Sequence, residues 1–232
     1  MISITLPDGS IRAFAPGTTP MEVAKNISEG FARNVISASF EGTTIETSTP
    51  LTTDGSLILY TWNDAEGKKA FWHSTSHVMA QVLEEMFPGI QLTLGPAIAN
   101  GFYYDVDFGE QKITEADFKA IESRILEISK EKHEFKMRAV TKAQALETYK
   151  NNVYKTELIS NLEDGTITFC DHATFTDLCR GGHIPNTSII KAVKIMSVAG
   201  AYWRGDEKNK QLTRVYGTSF PKQKDLTEYL EL

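Results

Sequence analysis

Two histidines, His73 and His77, lie four residues apart in a stretch that contains neither proline nor glycine. The stretch 71–83 is predicted to be a helix, and on a helix this spacing places the two imidazoles about 40° apart around the axis and one turn apart along it. Phe71 and Val78 fall on the opposite side, which we expect to pack in a core. Neighbouring imidazoles can ligate a metal, move protons or hold a polar ligand, so this helix is the first candidate for chemistry.

A second pair of reactive side chains, Cys179 and His183, has the same spacing in the segment 176–187, which is predicted to be a loop. Two histidines four residues apart are by default ordinary surface residues. Because the chain has only five histidines, a second such pair weakens that default for His73 and His77. We expect the two pairs to converge on one site, although spacing alone does not bring them together.

The composition sets limits on the kind of protein. A length of 232 residues is comfortable for two domains, and a hydrophobic content of 41% is ordinary for a globular chain. The mean hydropathy of −0.26 and the lack of a long apolar run exclude a transmembrane helix, and the first residues do not form a secretory signal. Two cysteines suggest a reducing, cytoplasmic setting. We also expect no membrane partner. The net charge of −6 indicates that any nucleic-acid contact is local.

Residues 1–62 are predicted to form a small domain of their own. Apolar residues alternate with polar ones at the start, a turn signal follows at Asp8 and Gly9, and a helix from about Thr18 to Gly30 precedes further short strands. This order of two strands, a helix and more strands suits a β-grasp, ubiquitin-like fold. The segment has no nucleophile, metal cluster or glycine-rich phosphate loop, so we interpret it as a binding or accessory module.

The polar stretch 63–69 is predicted to be a linker, and residues 70–224 a larger α+β domain. After the histidine-bearing helix, the patterns predict a mixture of strands and helices. Strands are expected near 101–108, 134–140, 166–170, 193–198, 201–206 and 212–218, and helices near 114–132, 141–150 and from 153 onward. A last helix is expected to begin near 222 and to continue through 225–232.

Five stretches together resemble the N-terminal half of the bacterial threonyl-tRNA synthetase family. They are His73-Ser-Thr-Ser-His77, Gly101-Phe-Tyr-Tyr-Asp-Val106, Tyr154-Lys155, Asp177-Leu-Cys-Arg-Gly-Gly-His183 and Gly200-Ala-Tyr-Trp-Arg-Gly-Asp206. The combination is far more specific than any one stretch and covers nearly the whole chain. The resemblance implies an α+β fold, in which a β-grasp TGS domain at 1–62 precedes an editing domain at 70–224. That editing domain would belong to the type called the second additional domain, which threonyl- and alanyl-tRNA synthetases share.

Two features depart from the family pattern. The family's loop usually reads Cys-Arg-Gly-Pro-His, and Gly182 stands here where proline is expected, which should loosen the loop without removing a functional group. The class II catalytic core and the anticodon-binding domain are absent, so 225–232 would begin the helix that leads to that core. The resemblance implies that the core carries out threonine ligation and binds ATP, Mg and the family's zinc. It also implies that the core forms the interface of a homodimer. We therefore expect no aminoacylation from this chain.

The resemblance implies hydrolysis of mischarged Ser-tRNA(Thr), with serine as product and the 3′ end of tRNA(Thr) as partner. Serine lacks one methyl group of threonine, which changes binding by only about 1–3 kcal/mol, so a second pocket that excludes the methyl group is needed for selectivity. The substrate is an activated ester, and a positioned water with some stabilisation of the oxyanion should suffice. With an acidic balance and no core, we expect only weak, salt-sensitive tRNA binding.

Roles for individual residues follow from the same resemblance. His73 is expected to orient or deprotonate the water, Lys155 to offer a cation to the oxyanion or to a nearby backbone group, and Asp177 to pair with the substrate's ammonium. The other expected catalytic residues are His77 and Cys179, and the other expected substrate-binding residues are His183, Tyr104 and Gly95. Each of the leading candidates also has an ordinary interpretation: Lys155 as a surface cation, Asp177 as a turn cap and Cys179 as a small buried side chain.

Several alternatives stay open. His73, His77, Cys179 and His183 form a plausible tetrahedral zinc set like that of alanyl-type editing domains. We favour a site without metal or other cofactor, because the resemblance is to threonyl-type pockets and implies that they work without metal. The chain could instead be a zinc-dependent hydrolase for mischarged tRNA(Ala), although the TGS-like start argues against this. It could also be a non-catalytic RNA-binding or regulatory module. A nucleophilic Cys179 is conceivable, but an activated ester does not require one.

Overall fold

The computed structural model describes residues 1–232 and divides them into two compact units. The first unit comprises Met1–Phe71 with the segment Gly181–Pro185, and the second comprises Trp72–Arg180 with Asn186–Leu232. Both units combine helices with β-sheets, which confirms the predicted α+β class. None of the helices has the length and apolar character that crossing a membrane demands.

The first unit is built on one five-stranded sheet. Its elements are β1 (Ile2–Thr5), β2 (Ile11–Phe14), α1 (Pro20–Ile27), α2 (Glu29–Ala32), β3 (Val35–Phe40), β4 (Thr43–Ile45) and β5 (Gly55–Thr61). The strand order is β2-β1-β5-β3-β4, with β1 and β5 parallel and the other pairs antiparallel. This topology, with a helix between the two hairpins, confirms the predicted β-grasp fold.

Helix α1 begins where the sequence predicts a helix start. The Thr19 hydroxyl accepts a hydrogen bond from Glu22 N at 3.2 Å, and the Glu22 carboxylate accepts one from Thr19 N at 2.8 Å. Pro20 occupies the first turn, where its missing N–H is not needed. Val23 on the inner face of α1 joins the core of this unit, which also contains Ile2, Ile4, Leu6, Ala38, Leu51 and Leu57.

The second unit begins within a long helix and contains two further sheets. Its helices are α3 (Ala65–Met86, whose first turns belong to the first unit), α4 (Phe118–Lys130), α5 (Lys142–Thr148), α6 (Val153–Ser160) and α7 (Gln223–Leu230). Its strands are β6 (Gln91–Leu92), β7 (Ala97–Ile98), β8 (Gly101–Asp107), β9 (Lys136–Ala139), β10 (Thr168–His172), β11 (Phe175–Leu178), β12 (Ala192–Tyr202) and β13 (Gln211–Phe220). One sheet has the order β11-β10-β9, and the other has the order β12-β13-β8-β6 with β7 paired to β8.

Helix α3 provides much of the core of the second unit. Its fully buried apolar side chains include Val78, Met79, Val82 and Leu83. Polar contacts fix the helix on β13, because Trp72 Nε1 donates to Ser219 O at 2.9 Å and Thr75 Oγ1 lies 2.8 Å from Ser219 Oγ. The expected packing of the apolar side of this helix is therefore confirmed.

The structure corrects the predicted linker 63–69, because α3 already begins at Ala65. The Asp64 carbonyl accepts from Lys68 N at 3.0 Å, and the Asp64 carboxylate accepts from Thr61 N at 2.7 Å. Gly67 allows a close approach, since a Cβ on it would lie 1.9 Å from Thr61 O. The polar composition of this stretch belongs to an exposed helix start rather than to a linker.

A second correction concerns the strands predicted at 193–198 and 201–206. Residues 193–202 lie in the single strand β12, and the remainder of the second predicted strand is instead a short 3-10 turn at Trp203–Gly205. The register against β13 shifts between Ile195 and Ser197, so a bulge bends the strand without breaking it. The predicted break at 199–200 falls at Gly200, which pairs with Thr213 inside the continuous strand, and a glycine in a sequence pattern is easily taken for a strand end.

The predicted loop 176–187 is only partly a loop. Its first residues continue β11, in which Asp177 lies opposite Cys170 on β10. Burial alternates along β11, so Asp177 points to the same buried side as Phe175. The later segment Gly181–Pro185 groups with the first unit, which interrupts the contiguous domain predicted at 70–224.

Candidate active site

The two predicted histidines lie side by side on α3. His73 Nε2 is 2.9 Å from His77 Nε2, and the ring centroids are 4.8 Å apart. His73 Nε2 also lies 3.2 Å from Cys179 Sγ. His77 is buried, whereas His73 is half-buried. The helix therefore brings the pair together as predicted and makes His73 the member that solvent can reach.

The second ring nitrogen of His77 binds a carboxylate. His77 Nδ1 lies 3.0 Å from Asp177 Oδ2, and an ionised carboxylate only accepts hydrogen bonds, so Nδ1 carries a hydrogen. The hydrogen bond between the two Nε2 atoms needs one further proton. When His77 is neutral, His73 Nε2 carries this proton and donates it; when His77 is an imidazolium, His77 Nε2 carries and donates it. A proton taken up by His73 can therefore pass to His77 within the protein.

Asp177 lies at the centre of a buried polar network. Its Oδ1 accepts from Lys155 Nζ at 2.5 Å, and its Oδ2 accepts from the Tyr104 hydroxyl at 2.7 Å. Lys155 is only 1% exposed and also donates to Thr93 O at 2.6 Å and to Tyr104 Oη at 3.1 Å. An ammonium group has three hydrogens, so all of them are used within the protein. The surface-cation interpretation of Lys155 is therefore wrong.

These contacts shift the protonation of the network. Burial by itself raises the pKa of Asp177, but the Lys155 ammonium and the hydrogen bond from His77 outweigh it and hold this pKa well below its usual range. Burial by itself lowers the pKa of His77, but the charge of Cys179 and the hydrogen bond to Asp177 outweigh it, so this pKa is raised. Burial and the charge of Asp177 raise the pKa of Tyr104 well above its usual value. The site therefore favours an ionised Asp177 and a neutral Tyr104.

Lys155 is positioned by the start of α6. Asn152 caps this helix, and its Oδ1 accepts hydrogen bonds from Tyr154 N at 3.1 Å and from Lys155 N at 3.0 Å. The Asn152 amide also donates to Leu92 O at 2.8 Å, which ties the helix start to β6. Asparagine before a predicted helix is a recognisable cap signal, and it could have identified Asn152 as a supporting residue.

Cys179 is held by the strand pair rather than by a free loop. Its backbone N donates to Thr168 O at 3.1 Å, and its carbonyl accepts a hydrogen bond from Thr168 Oγ1. The side chain is 8% exposed, so the thiol is buried beside His73. The structure thus brings His73, His77, Cys179 and Asp177 together, as the sequence predicts.

Gly95 and Tyr104 support the network from another side. A Cβ on Gly95 would lie 2.2 Å from Tyr104 Cδ2, so the glycine backbone packs directly on the ring. Ser76 Oγ lies 2.7 Å from both Gly95 O and His73 O, which ties this segment to α3. Ser76 and Thr93 were not predicted, because one is a common helix residue and the other contributes only its backbone carbonyl.

His183 belongs to the segment that groups with the first unit. Its side chain is fully buried, and its Nδ1 lies 3.2 Å from Glu46 Oε1. Glu46 was not predicted either, since a single carboxylate in a short loop carries no signal in the sequence.

Three of the predicted zinc ligands can be tested for their fit to a metal. The ligand atoms of His73, His77 and Cys179 lie within 4.8 Å of one another, and thiolate with imidazole is a donor set that suits zinc. Asp177 behind His77 is also a typical partner of a metal-bound imidazole. On a tetrahedral zinc, however, the N–N and N–S distances would be about 3.3 and 3.6 Å. The observed 2.9 and 3.2 Å are distances of direct hydrogen bonds.

Comparison with known proteins finds a family match within each part of the chain. Residues 2–61 match the TGS domain, and residues 167–216 match the threonyl and alanyl tRNA synthetase second additional domain. Over its whole length the chain is 89% identical to part of the threonine–tRNA ligase of Flavobacterium johnsoniae, 84% identical to that of Flavobacterium psychrophilum and 56% identical to that of Parabacteroides distasonis. The chain spans 36% of the length of each of these relatives.

Proposed function

We propose that this chain, which contains a TGS domain and a threonyl and alanyl tRNA synthetase second additional domain and matches the N-terminal region of threonine–tRNA ligases, hydrolyses the ester of mischarged Ser-tRNA(Thr). The products are serine and tRNA(Thr). The observation that carries this proposal is the row of hydrogen-bonding groups from half-buried His73 through His77 to buried Asp177. Such a row accepts a proton from water and stabilises the resulting imidazolium.

In this mechanism His73 is the base. As it takes a proton from water, the water oxygen attacks the ester carbonyl, and the C=O electrons move to the carbonyl oxygen. When the tetrahedral intermediate collapses, the bond from carbon to the ribose oxygen breaks, and the ribose oxygen receives the proton. A positioned base contributes typically 10²–10⁴-fold to such a reaction. The short path to His77 lets the pair share the charge while the intermediate exists.

Lys155 and Asp177 act in this proposal by orienting His77. Every oxygen of Asp177 already accepts a hydrogen bond within the protein, so we assign to it the stabilisation of the His77 imidazolium rather than the expected ion pair with the substrate's ammonium. Lys155 keeps Asp177 ionised and binds Thr93 O, which agrees with the expected contact to a backbone group rather than with direct contact to the oxyanion. Tyr104 completes the network.

We further propose that hydrolysis needs no metal or other cofactor. The spacing of His73, His77 and Cys179 supports this, because these atoms contact one another directly. If zinc were held, these three residues would supply ligands, and the metal would lower the pKa of a bound water. We assign Cys179 to the polar wall beside His73 rather than to the role of nucleophile, because an activated ester does not require a covalent intermediate.

The test compares deacylation of Ser-tRNA(Thr), Thr-tRNA(Thr) and Ser-tRNA(Ala) by the wild-type chain and by His73→Ala. We expect the wild-type chain to hydrolyse Ser-tRNA(Thr) preferentially and His73→Ala to lose this activity. His133→Ala is the matched control, because His133 lies outside the network and contacts Glu131. Wild-type rates in His73→Ala would refute the assignment, and no deacylation by the wild-type chain would refute the function. Preference for Ser-tRNA(Ala) would favour the alanyl-type alternative.

In its biological setting, we propose that the chain removes serine that a threonine–tRNA ligase has attached to tRNA(Thr). We propose that threonine ligation with ATP is carried out by a longer threonine–tRNA ligase of the kind that the relatives represent. That longer enzyme would form a homodimer. The acidic net charge of −6 supports weak binding of free tRNA by this chain alone. A cytoplasmic location would follow from this role in translation.

A further inference from the structure

A carboxylate of the first unit binds the segment that carries His183. Glu46, which follows β4, accepts hydrogen bonds from Gly182 N at 2.7 Å and from His183 N at 3.2 Å. Its Oε1 also lies 3.2 Å from His183 Nδ1. The Glu46 side chain is only 12% exposed and the His183 side chain is fully buried. A carboxylate with three such contacts at low exposure is a strong, well-oriented anchor.

The glycines of this segment make the contact possible. Gly181 has φ of +107° and Gly182 has φ of +88°, values that favour glycine strongly over other residues. A proline at 182 would have φ near −65° and no N–H, so it could not donate to Glu46. A Cβ at Gly182 would approach Thr44 Cγ2 only to 3.4 Å, so backbone conformation and the N–H, rather than space, require glycine. Gly182 thus replaces the expected proline with a hydrogen-bond donor.

The same carboxylate selects one tautomer of His183. An ionised carboxylate only accepts, so the hydrogen of a neutral His183 ring is drawn to Nδ1, and Nε2 keeps the lone pair. A carboxylate behind an imidazole commonly fixes both its tautomer and its ring orientation. Glu46 is therefore placed to decide which nitrogen of His183 can accept a proton or a hydrogen bond.

We propose that Glu46 is a positioning residue for the hydrolysis of Ser-tRNA(Thr), acting through His183. The inference rests on the proposed function and on the expectation from the sequence that His183 binds the substrate. Gly182 is three residues from Cys179, and three residues span at most about 10 Å, so an anchor on Gly182 also limits where the loop after Cys179 can lie. By this inference the TGS unit supplies a residue on which editing depends.

The experiment compares the whole chain with Glu46→Ala, Glu46→Gln and Glu22→Ala. Glu22 is the matched control, because its carboxylate also accepts a backbone hydrogen bond in the first unit but caps α1. We expect Glu46→Ala to lower kcat for Ser-tRNA(Thr) by about 10–100-fold, the range found when a carboxylate that orients a metal-bound imidazole is removed. Glu46→Gln should recover part of kcat, because its amide oxygen still accepts from Gly182 N. The KM should also rise in Glu46→Ala, because a displaced His183 would bind the substrate less well.

A spectroscopic readout separates positioning from general destabilisation. The ¹⁵N shifts of His183 should report a hydrogen on Nδ1 in the wild-type chain and in Glu22→Ala, and a mixture of tautomers in Glu46→Ala. A wild-type kcat in Glu46→Ala, or an equal loss of kcat in Glu22→Ala, would overturn the inference while the proposed function stands. If the wild-type chain hydrolyses no Ser-tRNA(Thr), the proposed function fails, and the inference that rests on it fails too.

Discussion

The buried pair of Lys155 and Asp177 provides the sharpest prediction. Lys155→Met removes the ammonium but keeps a side chain of similar length, so Asp177 is left buried at 3% exposure without a permanent cation. The carboxylate keeps only the hydrogen bonds from His77 and Tyr104, and Thr93 O loses its donor. We expect this change to destabilise the second unit strongly and to abolish deacylation.

The expected magnitude follows from the burial of the pair. Breaking a buried ion pair by removal of one partner costs about 3–5 kcal/mol, because an uncompensated charge is left behind. For a unit of this size, 1 kcal/mol shifts the Tm by roughly 2–4 °C, so Tm should fall by roughly 6–20 °C. Replacing both partners, in Lys155→Met with Asp177→Asn, removes the stranded charge and should recover most of the lost stability.

Urea unfolding of the wild-type chain, the single variants and the double variant measures these differences as a double-mutant cycle. Lys150→Met is the matched control, because Lys150 pairs with Glu147 at 2.7 Å on the surface and should cost at most about 1 kcal/mol. Deacylation rates of the folded double variant give a second result. A stable but inactive double variant would show that the pair serves the chemistry.

Two outcomes would refute this reasoning. If Lys155→Met costs no more than Lys150→Met, the ammonium does not compensate a buried charge. If the double variant is both stable and fully active, the pair has no part in orienting His77, and the proposed role of Asp177 must be abandoned.

Three further predictions concern metal, pH and packing. The purified chain should contain much less than stoichiometric zinc by elemental analysis, and chelator should not change deacylation; stoichiometric zinc lost together with activity would contradict this. The pKa of Asp177 is lower in the folded chain than its unfolded value of about 3.8. The stability that ionised Asp177 contributes is therefore complete above that pH and is lost as pH falls through the folded pKa. The difference in unfolding free energy between the wild-type chain and Asp177→Asn should shrink below about pH 4. Gly95→Ala should cost about 1–3 kcal/mol in thermal unfolding, because its Cβ would meet the Tyr104 ring. Gly30→Ala has open space and lies in helix α2, so it should not be destabilising.

The parts of the site that the sequence predicts well are those set by local geometry. His73 and His77 share one continuous helix, so their spacing alone determines that the rings are neighbours. The start of α1 likewise follows from a short-range signal, the capping box of Thr19 and Glu22. In these cases the residues that decide the structure lie within a few positions of one another.

The parts that it predicts poorly depend on long-range registration. The sequence assigns Lys155, Asp177 and Tyr104 to contacts with the substrate or a nearby backbone group, whereas in the structure they bind one another across 22 to 73 residues of chain. The distances between these three side chains depend on how α6, β8 and β11 pack, and no local sequence pattern predicts that packing. The same holds for Glu46, whose partner is 137 residues away.

The order of the hydrogen bonds from Lys155 through Asp177 and His77 to His73 supports a chemical rather than a structural role for this network. A buried ion pair adds little stability compared with well-packed apolar side chains, because both charges lose their hydration. Here the cation of Lys155 keeps Asp177 ionised, and ionised Asp177 keeps the hydrogen of His77 on Nδ1. That leaves His77 Nε2 directed at His73, the one member of the row that solvent reaches. A chain that needed only a stable core at this place would gain as much from leucine and methionine, so the order of these groups supports the proposed transfer of a proton from His73 to His77.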